Sequence, residues 1–452
     1  MAKYQWLVFI FIHEIIEYKM NTKEILNEIS DNFFIVNENA VKLIVLVDEV
    51  KFDHVTRKIS FEYNLMEFCK KQGTGKPQIV SINPEGIDLK SRNAWKQIFG
   101  FVYKEYSADR NILITWSHGN GFGINVEKPD DPQETIRVVN NSQFIVEKDQ
   151  ASEKADLLRR FGDNSFSDLN EFVIVPGEQM RKCRITNIVW MQDLANTLRD
   201  AIPGKRIDAL LMVNCNMQTV DNAIILSDKV DYLVAPQSVS AYYGLNYKRI
   251  FSLLRRHPLI PNSLLVKNIL QDYIEKYHYE LNNGREILKE DSLFCNKLDD
   301  GHNLLVLINE LSESLIEINK VRTKKDRLID LRSTKLRDTS KLGLELIDLG
   351  LLLKLLEKEF GKEYPAFKNY VERYNEINLK MVIAKYIGSN YVLQDAYDNA
   401  KFGQSGLSIY FPTDKKTFEN NLSVSCVYYN QPTMSQFAKL SLWDNFLTDL
   451  FA

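Results

Sequence analysis

The sequence predicts an α/β protein: a mostly parallel sheet with helices on both faces, followed by a largely helical C-terminal region that returns one strand to a sheet. Three observations predict it. Short apolar runs alternate with stretches of helical spacing through the first half of the chain. Two of those runs, 112–116 and 209–213, stop abruptly in polar turns, as buried parallel strands do at their carboxyl ends. From Ile250 onward apolar residues recur at three- and four-residue spacing instead.

Composition bounds the rest. A chain of 452 residues with 45% hydrophobic and 26% charged residues can bury one large core or two ordinary ones, and it is not a disordered chain. A net charge of -3 gives no reason to expect a nucleic-acid or anionic-membrane partner. No stretch reaches the ~20 apolar residues that a membrane helix requires. The run 6–12 is too brief for a signal-peptide core, lacks a small-residue cleavage site and is followed by His13, Glu14 and Glu17, so it reads as the first strand. Secretion after removal of a leader stays open, and the sequence assigns neither a compartment nor an oligomeric state.

Taken in order, 21–33 has helical spacing with Ile25, Leu26 and Ile29 on one face, and 41–47 is a second buried strand. After a turn-rich link at 72–76, a third strand covers 78–82 and an amphipathic helix covers 92–106. Residues 119–214 are more than one crossover helix requires. Within them 127–168 is polar, so an exposed insertion is expected across about 124–187, with a helix at 188–198 returning the chain to the next strand. Helices follow at 253–279, 304–318 and 344–360, and the Lys-, Arg- and Asp-dense run 320–341 reads as a solvated helix face or hairpin. A strand at 407–411 and a helix at 443–451 close the chain. The expected organisation is a core over 1–249 and a mainly helical region over 250–452.

The chemistry lies at the ends of two strands. Residues 112–116 lead into Ser117, His118 and Gly119, and 209–213 lead into Asn214, Cys215 and Asn216. A cysteine attacks a carbonyl as the thiolate, and a nearby imidazole removes its proton and later protonates the leaving amine. The Gly119 N–H, with no Cβ beside it, and the Cys215 N–H are placed to hold the oxyanion. Ligands of open α/β sheets bind beyond the carboxyl ends of the strands, so both residues are expected to face one crevice. Singly, each has a plain alternative: an inert buried thiol, a satisfied strand-end histidine. Cys69, Cys183, Cys295 and Cys426 are widely scattered with no Cys-x-x-Cys spacing, which argues for thiols rather than a disulfide framework or a zinc site.

A hydrophobic strand ending in Ser117-His118-Gly119, followed by one ending in Cys215, resembles the caspase and clostripain group of cysteine peptidases, and within it the clostripain-like family. The likeness continues through Met217, Asp221, Leu226, the run Asp231-Tyr232-Leu233-Val234-Ala235 and Gly244. Later it includes Ile347-Asp348-Leu349 and Ser405-Gly406-Leu407-Ser408-Ile409-Tyr410-Phe411-Pro412. The resemblance implies a caspase-like sheet and an endopeptidase with a His118/Cys215 dyad acting on a protein or peptide. It also implies self-processing after a basic residue in the long connection, with Lys148, Lys154, Arg159 and Arg160 as candidates. No cofactor is expected. Some relatives use calcium, and Asp130 and Asp131 offer carboxylates, yet no loop has EF-hand spacing.

At two positions the chain departs from the family. Relatives place an aspartate two residues before the nucleophile and another in a turn after the next strand, where both meet a basic P1 residue. Here those positions are Val213 and, by the match of Gly244, Tyr243. A buried cation without a carboxylate costs several kcal/mol, so the expectation is a neutral or aromatic P1 residue unless Asp48 or Glu49 reaches the pocket. The rival reading is a catalytically silent member that keeps the peptide groove. A phosphate-binding or serine-hydrolase reading is weaker, because the glycines of 119–123 precede no Lys-Ser or Lys-Thr and no Gly-x-Ser-x-Gly occurs.

Overall fold

A computed structural model describes residues 4–13, 23, 25–30, 40–53, 58–70, 77–91, 93–125, 188–238, 244–282, 292–340, 344–387, 405–419 and 436–452. Its centre is five parallel strands: β1 (Tyr4–His13), β2 (Val41–Asp53), β5 (Ala108–Trp116), β8 (Ile207–Val213) and β9 (Val230–Ala235). Each edge is extended by antiparallel strands. On one side lie β3 (Lys58–Lys70) and β4 (Pro77–Ser81), on the other β10 (Ser292–Lys297) and β12 (Val382–Ile387). The order across the nine strands is β12-β10-β9-β8-β5-β1-β2-β3-β4.

The parallel strands read as unbroken apolar runs because both of their faces are covered. Along β1, Leu7, Phe9 and Phe11 belong to one core and Trp6, Val8, Ile10 and Ile12 to the other. The first core holds the helices Ala94–Glu105, Met191–Ala201, Gly301–Asn319, Leu349–Phe360 and Trp443–Phe451. The second holds Tyr247–Arg256 and Asn262–Asn282. No described helix is long and apolar enough to cross a membrane.

Several expectations are corrected in detail. The sequence reading passes over 58–70, yet this stretch is a strand returning antiparallel along β2, so the strand after it also enters antiparallel and not through a crossover. Residues 188–190 form a short strand, β7 (Ile188–Trp190), against β6 (Gly123–Asn125), and the returning helix begins at Met191. Near the C-terminus β13 (Ser408–Tyr410) pairs with β11 (Leu346–Asp348) in a separate two-stranded sheet. In the charged run, Arg332 is buried rather than solvated: its guanidinium donates to the Phe411 and Leu336 carbonyls and pairs with Glu345. Burial pulls its pKa down and Glu345 opposes that.

Candidate active site

β5 and β8 are neighbours, with Thr115 opposite Met212 and Trp116 opposite Val213. Both run the same way, so Ser117-His118-Gly119 and Asn214-Cys215-Asn216 leave the sheet side by side at its carboxyl edge. His118 and Cys215 are each half-buried. The turn after His118 lies directly on the cysteine's backbone: a Cβ at Gly119 would sit 2.2 Å from the Cys215 carbonyl oxygen and 2.8 Å from the Cys215 nitrogen. Only glycine permits that approach. Of the residues singled out from the sequence, His118, Gly119, Cys215 and Val213 are thus brought together.

Val213 is nearly buried beside Trp116. Gly244, with φ +60°, faces both, since a Cβ there would lie 3.7 Å from Trp116 Cδ1 and from Val213 Cγ1. Tyr243 lies outside the described residues, as do Asp130, Asp131, Lys148, Lys154, Arg159, Arg160, Cys183 and Cys426. Asp48, offered as an alternative acid, is buried against His13 Nδ1 at 2.8 Å on the far side of β1, and Glu49 accepts from Asn64 on β3 at 3.0 Å. Among the described residues no group of three or more His, Cys, Asp or Glu could hold a metal ion.

The sequence reading did not see a collar of buried amides that fastens these turns. Asn214 Oδ1 accepts from Thr115 Oγ1 at 2.6 Å, and its Nδ2 donates to the Ser117 carbonyl at 3.0 Å. Thr219 Oγ1 and Asn222 Nδ2 both donate to the Gly121 carbonyl, at 3.2 and 3.0 Å, tying the turn after Cys215 to the turn after His118. Asn216 takes a left-handed backbone, φ 63°, which asparagine tolerates better than most residues. Its N–H donates to the Ser238 carbonyl at 2.6 Å, and the Gln218 N–H to Pro236 at 3.0 Å. Gln218 Nε2 donates to the Phe294 carbonyl at 3.0 Å, and its Oε1 accepts from Asn296 Nδ2 at 3.0 Å. The available signal was the uncharged run 214–219, polar apart from Met217, directly after a buried strand.

The segment 236–238, which receives two of those N–H groups, is held in turn by the C-terminal region. Gln237 Nε2 donates to Asp348 Oδ2 at 2.8 Å and to Ser408 Oγ at 3.2 Å, while its Oε1 accepts from the Gly406 N–H at 3.1 Å. Asp348 also accepts from the Ser405 N–H at 2.7 Å and hydroxyl at 2.9 Å, and it caps the helix Leu349–Phe360 through the Leu351 N–H at 2.8 Å. Burial pushes its carboxyl above the usual range, against the pull of these four donors. The two late sequence motifs, 347–349 and 405–412, therefore meet behind the carboxyl edge of the sheet. A contrasting thiol is Cys295: sealed in the core with Sγ 3.6 Å from the Val266 carbonyl, it is pushed by burial far above the ordinary thiol range.

This architecture has relatives. The model of the clostripain family matches residues 184–449. A secreted C11 cysteine protease from Bacteroides thetaiotaomicron, in complex with an irreversible peptide inhibitor, superposes with a TM-score of 0.57 at 18% identity, over 97% of this chain and 99% of its own. An inactive zymogen C11 protease from Parabacteroides distasonis gives 0.54 at 15% identity, over 100% of this chain and 99% of its own. At these identities the likeness is one of fold. No curated protein matches the sequence.

Proposed function

This chain belongs to the clostripain family of cysteine peptidases, and from that premise we propose an endopeptidase in which Cys215 is the nucleophile and His118 the general base and acid. The imidazole takes the thiol proton and the thiolate attacks the carbonyl carbon of the scissile peptide. The C–N bond breaks as the imidazolium protonates the leaving amine. Water then attacks the thioester with His118 as base, releasing the acid product and the thiol. The N–H groups of Gly119 and Cys215 are the oxyanion donors. The observation that carries this reading is the contact of Gly119 with the Cys215 backbone, at the adjoining ends of two parallel strands that lead into His118 and Cys215, neither of them sealed in the core.

Substrates are proteins or peptides, and the P1 residue is neutral or aromatic. Val213 and Trp116 offer no charge to a guanidinium or ammonium, Tyr243 adds none, and Asp48 is engaged with His13. A cleavage profile on a mixed peptide library, run with the purified protein and with Cys215→Ala, tests both parts. Turnover surviving in Cys215→Ala overturns the dyad, and strong cleavage after arginine overturns the neutral pocket. Val213 also favours a second reading, a silent member that binds peptides without cutting them. That reading would appear as saturable peptide binding with no turnover in the parent protein.

A further inference from the structure

Asn214 is fully buried between the ends of β5 and β8 and uses both ends of its amide across them. One bond goes to the Thr115 hydroxyl and the other to the Ser117 carbonyl, so the residue preceding Cys215 grips the residue preceding His118. The last described pair in the register of the two strands is Trp116 with Val213. Past it the turns are beyond the ladder, and the amide takes over the ladder's task of fixing their separation. We propose that Asn214, held by Thr115, is a positioning residue for the peptidase reaction: it sets how the Cys215 sulfur and the His118 imidazole face each other. The inference rests on the reading of those two residues as the reacting pair.

The choice of side chain follows from the two partners. A hydroxyl donor on one side and a carbonyl acceptor on the other call for a short group that accepts and donates at once, and a neutral amide does so. A carboxylate would accept from Thr115 but turn lone pairs toward the Ser117 carbonyl. It would also set a negative charge beside the thiol, which disfavours the thiolate. The ionisable groups on the neighbouring elements are His118 and Cys215 on the two turns, Asp221 on the helix Val220–Ile225 and, one residue past the Ile12–Trp116 pair, His13 with its partner Asp48.

The test compares the parent with Thr115→Val, Thr115→Ser and Asn214→Asp in the full chain, against a peptide the parent cleaves in a Cys215-dependent way. Thr115→Val keeps the shape and removes the donor. Its kcat should fall about tenfold or more with KM nearly unchanged, because misplacing a reacting group costs rate rather than binding, and Thr115→Ser should restore most of it. In Asn214→Asp the active form is the protonated acid, which can still donate to Ser117. Its kcat/KM relative to the parent should therefore rise as pH falls and be lost as pH rises through the buried acid's pKa. If Asn214→Asp does not fold, the Thr115 pair decides. Parental kcat in Thr115→Val, or a thermal shift in it with no change in kcat, would overturn the positioning role. A parent without Cys215-dependent hydrolysis would instead overturn the dyad itself, so the two failures are distinguishable.

Discussion

The two ends of the central sheet are finished with different chemistry. At the amino ends of the strands Arg110 pairs with Asp208 at 3.1 Å, and Arg206 pairs with Asp231 at 2.5 Å and Asp299 at 3.8 Å. Asn262 bridges to Asp208 at 3.0 Å. Arg110, Asp208, Asp231, Asp299 and Asn262 border a cavity of about 450 Å³ with Lys297, and most of these charged groups keep contact with water. At the carboxyl ends the buried polar groups around the Cys215 turn are mainly neutral, Asn214, Asn216, Gln218, Thr219, Asn222 and Gln237, joined by the buried carboxyls of Asp221 in the helix after that turn, of Asp348 behind Gln237, and of Asp48 against His13 at the ends of β1 and β2. Asn214, Gln218 and Gln237 are buried with both ends of their amides hydrogen-bonded and no ion to desolvate, whereas most charged groups of the amino edge keep contact with water.

This contrast predicts unequal responses to substitution. The largest belongs to Asp348→Ala, which takes the acceptor from the Ser405 and Leu351 N–H groups and leaves Gln237 Nε2 with Ser408 Oγ alone. It should lose about 3 kcal/mol in urea unfolding and most of the activity, and a loss comparable to that of a surface pair would break the contrast. Asp348→Asn should do less and should also alter the pH dependence of stability. With its folded pKa raised, the parent carboxyl favours folding below its unfolded value, and that contribution is lost as pH rises through the folded one. The neutral amide should not show that loss.

The two thiols provide a second test. Iodoacetamide followed by peptide mapping should modify Cys215 about a hundredfold faster than Cys295, whose burial disfavours the thiolate. Equal rates would mean that the sulfur at 215 is sealed as well. At the opposite edge Arg206→Ala should cost no more than ~1 kcal/mol and leave kcat unchanged, because both members of the pair are about a third exposed. A fall in kcat there would show that the amino edge also governs the site.

The smallest effect is expected far from either edge, at Glu359. Arg327 and Lys335 hold its carboxyl below the usual range, so it adds stability above the unfolded carboxylate value and loses it as pH falls through the folded one. Glu359→Gln should remove that acid-sensitive part, a few tenths of a kcal/mol, in thermal melts across the acid range.

How much the sequence disclosed follows the same division. The parallel centre was legible because strands buried on both faces are continuous apolar runs, and His118, Gly119 and Cys215 were legible because such runs end in polar turns. β3 was not, since Glu62, Asn64 and Glu67 interrupt its apolar residues and its pairing is a return along β2. β12 was missed for a similar reason: it is a half-exposed edge strand that continues directly from the helix Ala366–Met381. The amide collar depends on which strands are neighbours. Thr115 and Asn214 stand 99 positions apart, and nothing local to either marks the other as its partner. Asp348 was noticed as part of a motif, while its place behind Gln237 came only from the fold.

The central claim is that Cys215 and His118 form the reacting pair, and covalent labelling by a peptidyl electrophile with a neutral P1 residue tests it most directly. Mass spectrometry of the parent should find one adduct per chain on Cys215, formed far more slowly in His118→Ala. Adduct on another residue of a protein that cleaves the matching peptide, or an equal labelling rate in His118→Ala, would contradict the account.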